Sequence, residues 1–404
     1  MAEPFVLGVN YWPRCKAMDW WHDFDSGEAR EEFALIRELG LKAVRLFLLW
    51  DDFQPTPQRV APRALARLTE ICDLAAELGL KLDVTFFTGH MSGANWAPRW
   101  LLDERSPRES MPVVSAGDLV NMGYRNPYTD PVAVEAQRLL ITTVVAALRD
   151  HPAIWLWNLG NEPDVFAQPS DGESGPRWAR LLIETIRELD GHHPVTCGLH
   201  LGNLVRDNGL RIDRILGIAD LATTHPYPMY TDWSDGPLDP DLAPFSCAMT
   251  ASLSGRPVLV EEFGVCTAAP GRPSQVLSWA VAGTERRQFA ASEEDAAEYV
   301  ATVLPGLVEI GAIGALIWCF ADYHPALWDR PPCRDQHHER FFGLVRPDGT
   351  LKPHALALRD FAATAPLVQP IPPRARLTID ADEFYRDPMA QLPDLYRRFR
   401  DAAH

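Results

Sequence analysis

The sequence predicts a (β/α)8 barrel with long loops after its strands and a C-terminal extension, on three observations. Eight short apolar runs alternate with eight amphipathic helical patterns along the 404 residues. The runs are apolar throughout and lack hairpin signals between them, as expected of parallel strands covered by helices on their outer face. The first strand-to-helix connection carries no glycine-rich phosphate-binding fingerprint, which argues against the rival doubly wound sheet.

The strand-like runs are 5–10, 43–50, 81–87, 153–159, 194–200, 221–225, 257–262 and 314–320. Helical patterns fall at 26–40, 62–79, 131–148, 176–191, 212–220, 242–255, 292–311 and 352–365. The first opens on Ser26 with acidic residues in its first turn and closes on Gly40, giving signals at both ends. The third begins with Pro131 after Asp130, the order a helix N-terminus favours. The seventh should kink or stop near Leu304, because Pro305 follows. The chain exceeds the roughly 250 residues of a plain barrel. The excess lies mainly in 11–25, 88–129, 263–291 and 321–351, all after strand C-termini, the face on which barrels build their sites. Residues 1–365 read as the barrel; 366–404 read as a proline-rich linker, QPIPPRARL, and a helical tail that could pack on the barrel or serve a homo-oligomer contact.

Composition narrows the classes of partner. A formal charge of −17, with 34 Arg and only four Lys among the cations, opposes binding to nucleic acid. No window of about 18 consecutive apolar residues and no basic leader before a long apolar stretch is found, so no membrane role and a cytoplasmic location are expected. The seven cysteines form no C-x-x-C pair and read as free, mostly buried thiols. Clustered pairs such as His337-His338-Glu339 suggest a metal only faintly; adjacent histidines usually project apart, so no metal and no cofactor are expected.

Chemistry-bearing residues collect at the predicted strand ends: Asn10, Tyr11 and Trp12; Arg45 and Trp50; His90; Asn161 and Glu162; His225 and Tyr227; Glu262; Trp318 and Asp322. In a barrel these converge on one opening. Pro163 ends the fourth run immediately after Glu162, which delivers that carboxylate at a strand terminus. Two carboxylates on opposite sides of one opening suit glycoside hydrolysis, in which one protonates the leaving oxygen and the other attacks the anomeric carbon or activates water. In the seventh run, alternation puts Val258, Val260 and Glu262 on one face and Leu259 and Glu261 on the other. Periodicity does not say which face is inside.

WNLGNEP (157–163) resembles the acid/base motif of the retaining (β/α)8 glycoside hydrolases of clan A, and VLVEEFG (258–264) resembles their nucleophile motif. Within that clan the chain is most similar to glycoside hydrolase family 5, over residues 5 to about 362. The resemblance implies Glu162 as acid/base and Glu262 as nucleophile, with Arg45, His90, Asn161, His225, Tyr227 and Trp318 binding substrate. It further implies that Arg45 and Tyr227 keep Glu262 charged, that a neighbouring carboxylate keeps Glu162 protonated, that Asn161 meets the sugar 2-OH and that Trp318 stacks beneath the sugar. Trp12, Trp50, Trp96, Trp157 and Trp328 read as core or wall. The segments GVNYWP, WHDFD and FTGHMSG resemble exo-acting, β-mannosidase-like members. The expected activity is therefore release of mannose from short β-mannosides, the partner being a small oligosaccharide or β-glycoside. The alternatives are an endo-β-1,4-mannanase, a β-glucosidase or β-galactosidase, and an inactive carbohydrate-binding barrel.

Overall fold

The structure is a computed structural model that describes residues 3–107 and 111–402. Eight parallel strands form one sheet: β1 Val6–Asn10, β2 Ala43–Leu49, β3 Lys81–Thr88, β4 Ile154–Asn161, β5 Val195–Gly198, β6 Ala222–Thr224, β7 Val258–Phe263 and β8 Gly314–Ile317, in the order β5-β4-β3-β2-β1-β8-β7-β6. β5 and β6 face one another across the remaining seam. Asp220 N–H donates to Val195 O at 2.9 Å, and two threonine hydroxyls continue the seam. Thr223 Oγ1 donates to Cys197 O at 2.6 Å and Thr196 Oγ1 to Leu221 O at 3.0 Å, so side chains bridge the carbonyls that a regular ladder would satisfy.

The helices outside the barrel are α1 Ser26–Glu38, α2 Pro62–Glu77, α3 Pro131–Leu148, α4 Ser174–Arg187, α5 Ile212–Ile215, α6 Leu242–Ser254, α7 Glu293–Glu309 and α8 Pro353–Ala363. Two expectations need correction. Asp25, not Ser26, caps α1, its carboxylate accepting from Gly27 N and Glu28 N. α7 continues through Pro305, because it packs against both α6 and α8, and this tertiary contact outweighs one missing backbone donor. α3 is 18 residues long and apolar enough to cross a membrane by length and composition. Here it buries Ala133, Ala136, Leu140, Ile141, Val144, Val145 and Leu148 in the wall of the barrel. Six of the seven cysteines are buried and all seven are free thiols, with Cys15 exposed.

Inside the barrel, the end away from the strand C-termini is an apolar plug of Ala43, Leu156, Leu221, Leu259 and Leu316. One layer further up, the core turns polar around a single guanidinium. Arg45 is fully buried; its Nε donates to Thr85 Oγ1 (3.0 Å), its Nη1 to Glu262 Oε1 (2.7 Å) and Asn10 Oδ1 (3.2 Å), and its Nη2 to Asn161 Oδ1 (3.0 Å). Nη2 also pairs with Glu261 Oε2 at 3.2 Å, and Asp83 Oδ2 lies 3.8 Å from Nε. Asn158 Nδ2 donates to Glu261 Oε1 at 2.8 Å, while Asn10 Nδ2 reaches the carbonyls of Glu261 and Ile317. Gly198 makes room for this layer, since a Cβ there would lie 2.7 Å from Arg45 Nη2 and 3.0 Å from Glu261 Oε2.

Both adjacent glutamates of β7 therefore reach Arg45, which simple alternation forbids. The pairing of β7 with β8 explains it: Val260 pairs with Ala315 and Phe263 with Ile317, so three steps on β7 oppose two on β8. That extra residue is a bulge, and it re-aims the side chains around it.

The 366–402 segment packs on the barrel. Helix α9 (Pro388–Asp401) sets Tyr396 and Phe399 against Phe245 of α6, and Tyr385 Oη donates to Asn203 O at 2.8 Å. After β8, Lys352 Nζ is buried against Asp322 Oδ1 (2.7 Å), Thr267 Oγ1 (2.8 Å) and Phe341 O (3.1 Å), tying the loops after β7 and β8 to the start of α8.

The Arg45 layer sets an expectation for stability. Glu261→Ala leaves Arg45, Asn158 and His225 each short of a buried partner and should cost about 3–5 kcal/mol in chemical denaturation, the usual penalty for breaking a buried ion pair. Glu262→Ala leaves Arg45 its bonds to Glu261, Thr85, Asn10 and Asn161 and should cost clearly less; equal losses in the two variants would contradict this division.

Candidate active site

Glu162 terminates β4 in the left-handed region (φ 44°), and Pro163 starts the short helix Pro163–Phe166 directly after it. That turn stops the strand and tips the carboxylate over the barrel mouth. Glu262 arrives from β7 on the opposite side, placed by the bulge. One carboxylate oxygen of each, with a ring nitrogen of His225, lies within 4.8 Å of the others. The two glutamates face one another across a gap of sugar size.

Each carboxylate has a distinct set of partners. Glu262 Oε1 accepts from Arg45 Nη1 (2.7 Å) and Glu262 Oε2 from Tyr227 Oη (2.7 Å). Glu162 Oε1 lies 2.9 Å from His225 Nδ1, while its Oε2 faces His200 Nδ1 at 3.9 Å. His225 bridges the site, because its Nε2 is 3.1 Å from Glu261 Oε2 and its Nδ1 is 3.6 Å from Glu262 Oε1. Asn161 is oriented from both ends, its Oδ1 accepting from Arg45 and its Nδ2 donating to the His90 carbonyl at 3.0 Å. One N–H of that amide remains for a ligand. His90 is held by Asn95 Oδ1 at 2.9 Å from Nδ1. Trp318 packs edge-on against Phe47 at 5.9 Å and lines the opening.

The electrostatics differ from expectation at Glu162. Burial opposes ionisation of Glu162, but the charges of His200 and His225 outweigh it and hold this carboxyl well below the usual range. Burial lowers the affinity of His200 and His225 for protons; their carboxylate neighbours, Asp164 and Glu162 for the former and Glu262, Glu162 and Glu261 for the latter, more than offset this and push both imidazoles up to about 9. Glu262 is raised, by burial and by the charge of Glu162, against His225, Arg45 and Tyr227. Asp83 is raised strongly by burial and by Glu261, while Arg45 and His225 overcome burial to lower Glu261. The protons of this arrangement sit on imidazoles rather than on Glu162, because two cationic rings outweigh one neighbouring carboxylate.

Of the strand-end residues, Arg45, His90, Asn161, Glu162, His225, Tyr227, Glu262 and Trp318 converge, and Asn10 supports Arg45 from below. Tyr11, Trp12, Trp50 and Asp322 do not join them. Tyr11 Oη donates to Glu32 Oε2, Trp12 Nε1 to Met91 Sδ and Trp50 Nε1 to Gln54 Oε1, all in the core, and Asp322 is spent on Lys352. Sequence reasoning missed His200 and Asp164. The signal was present, since His200 closes the fifth apolar run as His225 closes the sixth. Glu162, His225 and Glu262 are also the donors that could approach a metal ion, but Glu262 Oε1 already holds the Arg45 guanidinium, and a second cation there would meet its charge.

Above these residues lies a cavity of ≈ 1000 Å³. Its walls come from the loop after β3 (Met111, Val120, Met122), the loop after β6 (Tyr230, Trp233), the antiparallel hairpin of Gln275–Val281 and Thr284–Ala290 after β7, and Gln336, His338 and Glu339 after β8. Met389 of the tail reaches its rim.

Comparison with known proteins places the chain among glycoside hydrolases. Probable mannan endo-1,4-beta-mannosidase F of Aspergillus flavus is 30% identical over 157 residues, 34% of this chain and 32% of that protein. The chain thus spans about a third of the length of the curated relatives it matches. Among solved structures, the GH5_18 protein of Streptomyces cattleya in complex with GlcNAc superposes with a TM-score of 0.75 at 23% identity, covering 92% of this chain and 83% of that one. The exo-beta-1,4-mannosidase Op5Man5 of Opitutaceae bacterium strain TAV5 gives 0.73 at 25% identity, over 93% and 61%. These neighbours support the mannosidase-like family 5 resemblance of the motifs, whereas the family model that matches, over residues 99–364, is that of glycosyl hydrolases family 2, TIM barrel domain. With two thirds of its length matched by that model and two glutamates facing across the barrel mouth, the chain belongs to the glycosyl hydrolases carrying the family 2 TIM barrel domain.

Proposed function

We propose that the chain is a retaining, exo-acting β-mannosidase that removes mannose from short β-mannosides, acting in the cytoplasm without a cofactor. The observation that carries this reading is the spacing of the two glutamates, since facing carboxylate oxygens within 4.8 Å of one another suit direct attack on the anomeric carbon. Glu262, gripped by Arg45 and Tyr227, attacks the anomeric carbon as Glu162 protonates the leaving oxygen. Once Glu262 is esterified, Glu162 takes a proton from water, which attacks the same carbon. Asn161 offers its remaining N–H to the sugar 2-OH, and Trp318 supplies a flat apolar face beneath the ring. Support for mannose comes from the named activities of the relatives. Support for exo action comes from walls on the β3, β6, β7 and β8 sides, which border the cavity where an endo-acting enzyme needs an open groove. The endo alternative draws on the curated relatives, which are endo-acting mannanases by name.

A panel of nitrophenyl β-glycosides should show hydrolysis of the mannoside, reduced at least about 10³-fold in Glu262→Ala and in Glu162→Gln for poor leaving groups. Azide should restore turnover of an activated substrate by Glu162→Ala, since that anion attacks the glycosyl-enzyme without a base. Mannohexaose should yield mannose first; early mannobiose and mannotriose would favour the endo alternative, and inactivity on every glycoside and oligosaccharide would remove the reading.

The proton inventory predicts two pH responses. The kcat/KM profile should fall on the acid side as Glu262, raised from its ordinary value by burial and Glu162, is protonated, and on the alkaline side near 9, where the imidazoles lose the site's protons. Stability follows the same groups. His200 and His225 shift from 6.5 to about 9 on folding, so their contribution is complete below 6.5 and is lost as pH rises through about 9. Thermal midpoints measured from pH 6.5 to 9.5 should therefore decline, and decline less in His225→Asn.

A further inference from the structure

We propose that His200, anchored by Asp164, is a positioning residue that stores and returns the proton used by Glu162; this rests on the assignment of Glu162 as acid/base. His200 follows β5 as the N-cap residue of the helix Leu201–Val205. Its Nε2 lies 3.0 Å from Asp164 Oδ2, and Asn208 Nδ2 donates to the same oxygen at 2.8 Å. Asp164 is fully buried, so it holds one orientation of the ring and accepts the Nε2 proton. Gly202 completes the fit, because a Cβ at that position would come within 2.5 Å of the imidazole. The ring's other nitrogen, Nδ1, is left facing Glu162 Oε2 at 3.9 Å.

His225 is the nearer imidazole but the less mobile donor, as both its nitrogens are engaged by carboxylates at 2.9 and 3.1 Å. His200 spends one nitrogen on its anchor and keeps the other on the cavity side, where the leaving group of a substrate would lie beside Glu162. A movement of about 1 Å brings its Nδ1 within hydrogen-bond range of Glu162. The charged groups around the pair are Asp164 and Glu162, which favour the imidazolium, and Arg206, which opposes it; on Glu162's other sides stand His225, His90 and Glu262.

In the first step the proton passes from His200 Nδ1 to Glu162 and on to the leaving oxygen, which keeps the electron pair of the broken C–O bond while Glu262 bonds to the anomeric carbon. In the second, water attacks that carbon, the ester bond to Glu262 breaks, and the proton of water passes to Glu162 and back to His200. Asp164 stays hydrogen-bonded to His200 Nε2 throughout.

The test compares two substrates of whichever sugar the wild type hydrolyses: its 2,4-dinitrophenyl β-glycoside, whose leaving group needs no proton, and its β-1,4-linked disaccharide, whose leaving group does. His200→Gln should lower kcat/KM for the disaccharide about 10- to 100-fold, within the span of general acid catalysis, and leave the dinitrophenyl glycoside within about 3-fold. Asp164→Asn should show the same selectivity in weaker form, and the two substitutions together should lose no more than His200→Gln alone. Equal losses on both substrates, or no loss on the disaccharide, overturn the proposal. Should His200→Gln fail to fold, Asp164→Asn carries the comparison. Glu162→Gln serves as the control: if it lacks the leaving-group selectivity, the acid/base assignment falls and takes the proposal with it.

Discussion

A fully buried guanidinium is the constraint on which the site depends. Arg45 cannot shed its charge, and removing it from water is repaid only when its N–H groups all find acceptors in good geometry. Side chains of β1, β3, β4 and β7 meet that demand with Asn10, Thr85, Asn161, Glu261 and Glu262. Because the fork is rigid, the acceptors cannot drift independently. Satisfying the cation therefore fixes the proposed nucleophile against one wall and orients the amide next to the proposed acid/base on the other. The bulge in β7 is what allows two consecutive carboxylates to serve one cation, so Glu261 remains a counter-ion of Arg45 in the core whatever Glu262 does in the proposed reaction.

The same arrangement settles where charge resides. Around the barrel mouth Glu162, Glu261, Glu262 and Asp164 face Arg45, His200 and His225, and burial together with the charge of Glu261 raises Asp83 strongly. Glu162 is ionised in this network because the charges of His200 and His225 outweigh its burial. A catalytic acid needs its proton only when a leaving oxygen is in place. When a sugar covers the mouth and excludes water, separated charge becomes more expensive, and a neutral carboxyl beside a neutral imidazole gains on the ion pair. An ionised Glu162 in the open site is thus compatible with a protonated one in the closed complex, and its return to carboxylate suits the attack of water.

Much of this was legible in the sequence, and the reasons differ by residue. The eight strands were visible because buried parallel strands are apolar along their whole length; Glu162 was visible because Pro163 halts its strand; and Glu262 was distinguished from Glu261 by motif, not by physics. Alternation assigned those two to opposite faces. The bulge that overrides it lies in the register between β7 and β8, which no single strand encodes. Pro305 stopped a helix on paper that two neighbouring helices sustain in the fold. Asp322, Tyr11, Trp12 and Trp50 carry the right chemistry at the right strand ends, yet each found a nearer partner in the core. His200 was overlooked because its importance depends on Asp164, a contact between the ends of two strands.

The loops turn this chemistry toward particular substrates. Lys352, buried against Asp322, Thr267 and Phe341, pins the segments after β7 and β8 to one helix terminus, so the hairpin and the His338–Glu339 wall rise from a fixed base. The tail adds Met389 at the rim and is itself held by Tyr396 and Phe399 against α6. Walls on several sides border the barrel mouth, and they displace water that would weaken the ion pairs beneath them. In the proposed reaction that exclusion of water shifts the glutamate and imidazole pair toward the state in which a proton is available to leave.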